Sequence, residues 1–297
     1  MEHLGTRKLE AERLKIKSFD GYILKGLLTL PEGNGKILKL VIYINGAGPK
    51  TYHIDFFPEY YAANGIAFFS YNTRGVYEND NPASIKEINK EEYKTYLPSN
   101  CVEDIFHIIK TLKRVERLKD SIVFLNGWSE GAVIAPLFAV KYPDMVDALF
   151  LCGYSNVNMK DLQKWQCSKI DGGSALLEEC FSAIERKDDA WLMTHMGLTS
   201  EWFSEHYKLP SNNDILPTLD LPIYIFHGTS DGFCDVNGVY EIRDAFLKLG
   251  KTNLSINVFE KHGHGLEMDG DISDGKRTRI SDGIRTLLDM VENINGA

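Results

Sequence analysis

Two hydrophobic rhythms alternate along most of this chain. Short runs rich in β-branched and aromatic residues occur at 38–44, 66–71, 121–125, 146–152, 221–226 and 254–259, each of the length and composition of a buried strand. Between them, apolar residues return every third or fourth position, predicting helices over about 53–64, 99–112, 132–139, 236–249 and 277–291. Ser99 is placed to cap the second of these, with Val102, Ile105, Phe106, Ile109 and Leu112 as its inner stripe. At the amino-terminal end, 14–18 and 22–30 flank the turn pair Asp20-Gly21 and predict a hairpin. Strands alternating with helices at these lengths imply an α/β domain, a mostly parallel sheet with helices on both faces.

The rhythm fails twice. Residues 72–98 read as a polar loop, and residues 156–216 carry no strand pattern at all. In the second stretch three short amphipathic helices are expected, marked by Leu176, Leu177, Cys180, Phe181 and Ile184, then by Trp191, Leu192, His195 and Met196, then by Trp202, Phe203, His206 and Tyr207. The organisation expected is therefore a core in two parts, 1–155 and 217–297, interrupted by a helical cap over 156–216. Apolar stripes that cannot reach the main core must cover the sheet edge or a ligand.

Bulk properties narrow the function. A chain of 297 residues, 43% apolar and 25% charged, suits one large soluble domain. A formal charge of -9 without any cluster of lysines and arginines argues against a nucleic-acid surface. No apolar run approaches membrane-spanning length, and the charged segment Arg7-Lys8-Leu9-Glu10-Ala11-Glu12-Arg13 leaves no room for a secretory h-region. The five cysteines have no metal-type spacing and resemble reduced thiols, so a cytoplasmic location is expected.

In a parallel sheet of this kind the chemistry gathers beyond the carboxyl ends of the strands. After 121–125 comes Asn126-Gly127-Trp128-Ser129-Glu130-Gly131, with a strand before it and a helix after, so Ser129 sits on a tight turn as a candidate nucleophile. After 221–226 comes His227-Gly228-Thr229-Ser230-Asp231-Gly232, and after 254–259 comes Glu260-Lys261-His262-Gly263-His264-Gly265. Ser129, Asp231 and His264 fall in the chain order that an α/β-hydrolase topology requires. Asp231 is preferred to Asp235, which is placed to cap the helix beginning near Val236. His264 is preferred to His262, because only His264 has the flanking glycines; His262 is expected at the surface, His227 as a brace of its turn, and His53, His107, His195 and His206 as structural or solvent-facing. Cys234 has no basic neighbour that would activate it.

These motifs resemble the α/β-hydrolase superfamily, especially its bacterial esterase and lipase-like members, over nearly the whole length. Gly127-Trp128-Ser129-Glu130-Gly131 is similar to the family's elbow, His227-Gly228-Thr229-Ser230-Asp231 to its acid loop, Gly263-His264-Gly265 to its histidine loop, and Asn45-Gly46-Ala47-Gly48 to its oxyanion loop with asparagine in place of histidine. Thr73-Arg74-Gly75 resembles a further family motif, but Asn72, Tyr77 and Asn79 depart from it, so Arg74 is expected to organise a loop. The resemblance implies a Ser129–His264–Asp231 triad and backbone donors at Ala47 and Glu130 for the oxyanion, and chemistry of this kind requires no metal or cofactor. Trp128, Trp191 and Trp202 are the candidate substrate contacts, with packing of the cap onto the core as the alternative for Trp165, Trp191 and Trp202. The implied reaction is hydrolysis of a small-molecule carboxylic ester. A peptidase or thioesterase would use the same groups, and a ligand receptor on the same fold is the alternative from a different class.

Overall fold

The computed structural model describes residues 9–81, 84–268, 272–273, 276–277 and 280–294. The chain opens with the hairpin β1 (Leu9–Lys17) and β2 (Ile23–Pro31), closed at Asp20-Gly21, where Gly21 has φ 87°. There follow β3 (Lys39–Ile44), α1 (Phe57–Ala63), β4 (Ala67–Tyr71), β5 (Val76–Glu78), β6 (Ile85–Ile88), α2 (Lys90–Tyr93), α3 (Pro98–Leu112), β7 (Ile122–Trp128), α4 (Gly131–Lys141) and β8 (Ala148–Cys152). Five helices then run without a strand: α5 (Met159–Cys167), α6 (Gly173–Glu185), α7 (Asp189–His195), α8 (Ser200–His206) and α9 (Asn212–Ile215). The regular pattern resumes with β9 (Ile223–Gly228), α10 (Asn237–Leu249) and β10 (Leu254–Phe259), and after the short pair β11 (Ile272–Ser273) and β12 (Lys276–Arg277) the chain ends on α11 (Asp282–Asn293).

The eight-stranded sheet has the order β1-β2-β4-β3-β7-β8-β9-β10, and only the two pairs made by β2 are antiparallel. After β3 the chain moves outward to β4, then crosses back to β7 on the other side of β3. This reversal opens a crevice at the carboxyl ends of β3 and β7, the place where ligand sites of open α/β sheets form. Alternate side chains of β3 feed two separate cores: Leu40, Ile42 and Ile44 pack with α3, α4 and α10, while Val41 and Tyr43 pack with α1 and α11. In α4 the alanines 132, 135 and 139 are fully buried, which brings that helix close to the sheet behind the elbow.

Several boundaries differ from the sequence expectation. The helix expected from 53 begins at Phe57, where Pro58 falls at its start and Phe56 is left-handed with φ 40°. Pro98, not a serine cap, starts α3; Ser99 lies in its first turn and its N–H donates to Glu205 Oε1 at 2.5 Å. The final helix starts at Asp282 because Ser281 Oγ accepts the Ile284 N–H, whereas Arg277 belongs to β12. The polar stretch 72–98 holds the β5–β6 hairpin and α2, and the strandless stretch adds α5 and α9 to the three expected helices. No helix among the described residues is long and apolar enough to cross a membrane.

Candidate active site

Between β7 and α4 the backbone turns so sharply that Ser129 is left-handed, with φ 55°. The Ser129 N–H donates to the Cys152 carbonyl at 2.8 Å, ending the strand pairing, and the Ser129 carbonyl accepts the Ala132 N–H at 2.9 Å, beginning the helix. A non-glycine residue held there costs roughly 1–3 kcal/mol, which the packing around it must sustain. That packing excludes side chains at both flanking positions: a Cβ on Gly127 would overlap the Gly131 carbonyl, and a Cβ on Gly131 would overlap the Ile44 carbonyl. A Cβ on Gly46 would come within 3.0 Å of Ser129 Cβ, so the loop after β3 lies directly against the serine.

Asp231 follows β9 and is almost fully buried. Its Oδ1 accepts the N–H groups of Phe233 (2.7 Å) and Cys234 (2.9 Å), and its Oδ2 lies 2.8 Å from His264 Nδ1. Burial works against a charge at this position, but the His264 hydrogen bond, the attraction of that ring and the two N–H groups outweigh it and hold the carboxyl below its usual range. The His264 ring fits against Gly153, where a Cβ would stand 2.6 Å from Cε1, and lies 5.0 Å between centroids from Phe233. Trp128 Nε1 donates to the His264 carbonyl at 3.2 Å, tying the histidine loop to the elbow. Ser129 and His264 line one open cleft of about 1260 Å³, and among the described residues no hydrogen bond yet joins the hydroxyl to the ring.

The loop after β3 is braced from the loop after β4. Asn45 Nδ2 donates to the Tyr71 carbonyl (3.2 Å), Thr73 Oγ1 donates to the Gly48 carbonyl (3.0 Å), and the Thr73 N–H donates to the Lys50 carbonyl (2.9 Å). Arg74 is buried behind this brace, forked onto Asp104 at 2.6 and 2.7 Å and bonded to Asp20 at 2.6 Å. Its role in this structure is to organise loops. Asparagine at position 45 thus still fixes the loop, and among the described residues the N–H groups of Ala47 and Glu130 have no hydrogen-bond partner.

The remaining candidates separate clearly. Asp235 accepts the Asn237 N–H at 3.0 Å at the start of α10, away from His264. His262 is not at the surface as expected: it is 4% exposed, packed on Phe259 with Nδ1 2.8 Å from the Glu260 carbonyl, because the turn after β10 folds inward over α11. His227 is fully buried beneath Asp231, with Nδ1 2.9 Å from the Gly228 carbonyl, and burial pushes its pKa down. The Cys234 thiol donates to the Gly153 carbonyl at 3.3 Å and burial pushes its pKa up. Ligand atoms of Asp231, Cys234 and His264 lie within 4.8 Å of one another, but each is already engaged in the bonds just described, so the cluster does not fit a metal site.

Trp128 lines the cleft, and Trp202 reaches its wall although only 1% exposed, with its Nε1 donating to Glu130 Oε1 at 2.8 Å. Trp191 is outside the lining but stacks at 4.3 Å on His195, which lines the cleft although the sequence suggested only a structural or solvent-facing histidine. The Glu130 side chain points into the helices of 156–216, away from the end of its own helix. Phe233, 59% exposed at the cleft beside His264, and Leu162 and Met196 from the strandless segment are lining residues that no motif indicated. A phenylalanine two positions after the acid, and Met196 in the stripe of its expected helix, are the signals the sequence offers.

No family model and no curated protein matches the sequence. Solved structures do match in fold. An esterase from Exiguobacterium antarcticum superposes with a TM-score of 0.58 at 18% identity over 94% of this chain and 99% of its own. The Pyrococcus horikoshii acylaminoacyl peptidase gives a TM-score of 0.60 at 18% identity over 88% of this chain but 38% of its own, and a puromycin-hydrolyzing peptidase of Mycobacterium tuberculosis gives 0.65 at 12% identity over 96% and 40%. The chain thus spans well under half the length of the peptidases it matches. The fold is the α/β-hydrolase fold.

Proposed function

We propose that the protein is a serine hydrolase that cleaves small carboxylic esters through an acyl-enzyme. The observation that carries this reading is the 2.8 Å bond between buried Asp231 and His264, in the same cleft as a serine held at φ 55°. A serine hydroxyl is a weak nucleophile near neutral pH. His264, with Nδ1–H bonded to Asp231, keeps Nε2 free to take the Ser129 proton as the carbonyl is attacked and to return it to the leaving alcohol. Asp231, kept anionic, stabilises the imidazolium. The serine–histidine bond is expected to close when substrate excludes water, since such bonds are often long before the complex forms. The oxyanion meets the N–H groups of Ala47 and Glu130, each worth about 3–4 kcal/mol in comparable sites. Hydrolysis of the acyl-enzyme repeats the cycle with water as nucleophile. No step needs a cofactor.

The helices of 156–216 act in this reading as a cap that sets substrate choice, with Leu162, Met196 and Trp202 facing the cleft and Trp128 forming part of the opposite wall. Trp191, which stacks behind the lining residue His195 and is not itself in the lining, is assigned to packing instead. A cytoplasmic location remains part of the proposal. A peptidase is the second reading, favoured by the fold likeness to peptidase domains. The test is labelling with a fluorophosphonate followed by a panel of p-nitrophenyl esters, aminoacyl anilides and acyl thioesters. One adduct that Ser129→Ala abolishes, with esters turned over fastest, is the expected result; an adduct at Ser155 or Ser230, or none, would sink it.

A further inference from the structure

The residue after the nucleophile has two ends with different neighbours. Its N–H is the proposed oxyanion donor, whereas its carboxylate is 3% exposed and surrounded by groups from two other parts of the chain. Oε1 accepts Trp202 Nε1–H at 2.8 Å and lies 2.7 Å from His206 Nε2, and Oε2 accepts the Tyr96 hydroxyl. Carboxylates are rarely buried without such partners. Favourable placement at a helix N-terminus would not require any of them, because an exposed glutamate serves that purpose.

Trp202 and His206 are one helical turn apart on α8, with ring centroids 4.0 Å apart, so they grip the carboxylate from one face of one helix. The platform on the other side is equally tied down. Tyr93 donates to the Gly197 carbonyl at 2.8 Å, just before α8, and Ser99 N–H donates to Glu205 in its last turn at 2.5 Å, so the segment 93–99 is tied to the approach and the end of α8. The carboxylate is thus fixed relative to α8, while its backbone is fixed relative to Ser129. A residue whose carboxylate oxygens, five bonds from its own N, are held at both ends has less freedom to re-aim that N–H.

Resting on the serine-hydrolase reading, we propose that Glu130 is a positioning residue: the buried Tyr96–Glu130–Trp202–His206 cluster sets the direction of the Glu130 N–H, so that α8 helps build the oxyanion site as well as covering it. The same helix presents Trp202 and Phe203 to the cleft. An acyl group resting on those rings therefore presses on the element that aims the donor, which couples substrate fit to turnover rather than to binding alone.

The test uses the full chain and rates normalised to titrated active sites. Trp202→Phe keeps an aromatic side chain, smaller than the indole, and deletes the N–H, and Glu130→Gln keeps an acceptor and removes the charge. Each is expected to lower kcat about 10- to 100-fold, within the range that small misplacement of a catalytic group produces, with KM within about twofold. Inhibition by an aryl trifluoromethyl ketone, whose adduct carries an oxyanion, should weaken in parallel with kcat. Folded variants with full kcat would overturn the proposal. Should both fail to fold, Tyr96→Phe, which removes one hydroxyl, decides: a threefold or greater loss of kcat at constant KM supports it and an unchanged kcat overturns it. A wild-type protein with no phosphonate adduct at Ser129 would overturn the hydrolase reading as well, whereas active wild type with fully active folded variants overturns this inference alone.

Discussion

The cleft has two walls made in different ways. One is built from turns at strand ends, where Ser129, Asp231, His264 and the loop after β3 are held by backbone bonds and by glycines whose replacement would drive a Cβ into a carbonyl. The other is built from helices joined by side chains, such as Gln163 with Tyr207, Gln166 with the Phe233 carbonyl, and α8 with Glu130. A wall of turns tolerates few residue types and fixes atoms closely. A wall of side chains can be rebuilt in many ways, which suits it to varying the substrate over constant chemistry.

The comparison is broken most severely at the first wall. Asp231→Asn leaves the carboxylate site with an amide that disfavours the productive tautomer, and a drop in kcat of about 10⁴-fold is expected, similar for His264→Ala. Asp235→Asn, which disturbs only the start of α10, should stay within about twofold. Steady-state rates on titrated enzyme check this, and a loss at Asp235 equal to that at Asp231 would reverse the assignment.

Next in size are the glycines. Gly131→Ala must move the Ile44 carbonyl and should destabilise the fold by about 1–3 kcal/mol. Gly232→Ala, with nothing within 4 Å of the added carbon, should leave the urea midpoint unchanged. Equal midpoints for the two variants would show that the elbow is looser than its geometry implies.

Substitutions in the second wall that lie away from the Glu130 cluster should alter preference and leave chemistry intact. Leu162→Ala and Met196→Ala line the cleft and are expected to change the ranking of acyl-chain lengths in kcat/KM, by about 10-fold between best and worst chains, while Ser129 still labels. Trp191→Ala, outside the lining, should lower Tm without changing that ranking. A changed ranking at Trp191 would show that its stacking on the lining residue His195 reaches the substrate.

The same division explains what could be read from the sequence. The strands of the main sheet and the three motif loops were legible because turn geometry restricts residue choice at 127, 131, 228 and 263, each of which would meet backbone or a side chain if it carried a Cβ. The strandless segment is legible only as amphipathic stripes; α5 has that spacing at Met159, Leu162 and Trp165, but three apolar residues over nine positions are too few to mark a stripe. Glu130 follows the nucleophile at a helix N-terminus, where a carboxylate needs no further partner, yet its partners lie 34, 72 and 76 positions away, beyond any local pattern. His262 was assigned to the surface for want of a motif, although burial in a turn depends on what α11 brings beside it.

The smallest expected effect is also on the wall of turns, and it appears as a dependence of stability on pH. His227 sits fully buried with Nε2 3.7 Å from Asp231 Oδ2, and burial lowers its pKa below the ordinary 6.5. A neutral ring there leaves Asp231 to His264. Protons bind more readily to the unfolded chain in the interval between the lowered value and 6.5, so stability from this residue is complete above 6.5 and falls as pH drops below it. Asp231 acts in a separate window: its lowered pKa contributes stability that is present above 3.8 and lost only as pH falls further. Urea midpoints between pH 5 and 7.5 therefore separate the contribution of His227 from that of Asp231. His227→Gln, which retains a hydrogen-bonding side chain of similar size, should be less stable than wild type at pH 7.5 but flatter across the interval, with the two curves converging toward pH 5. Parallel curves would mean that His227 is protonated as easily in the folded protein as in the unfolded chain, and that the neutrality of the ring under Asp231 plays no part in holding the pair with His264.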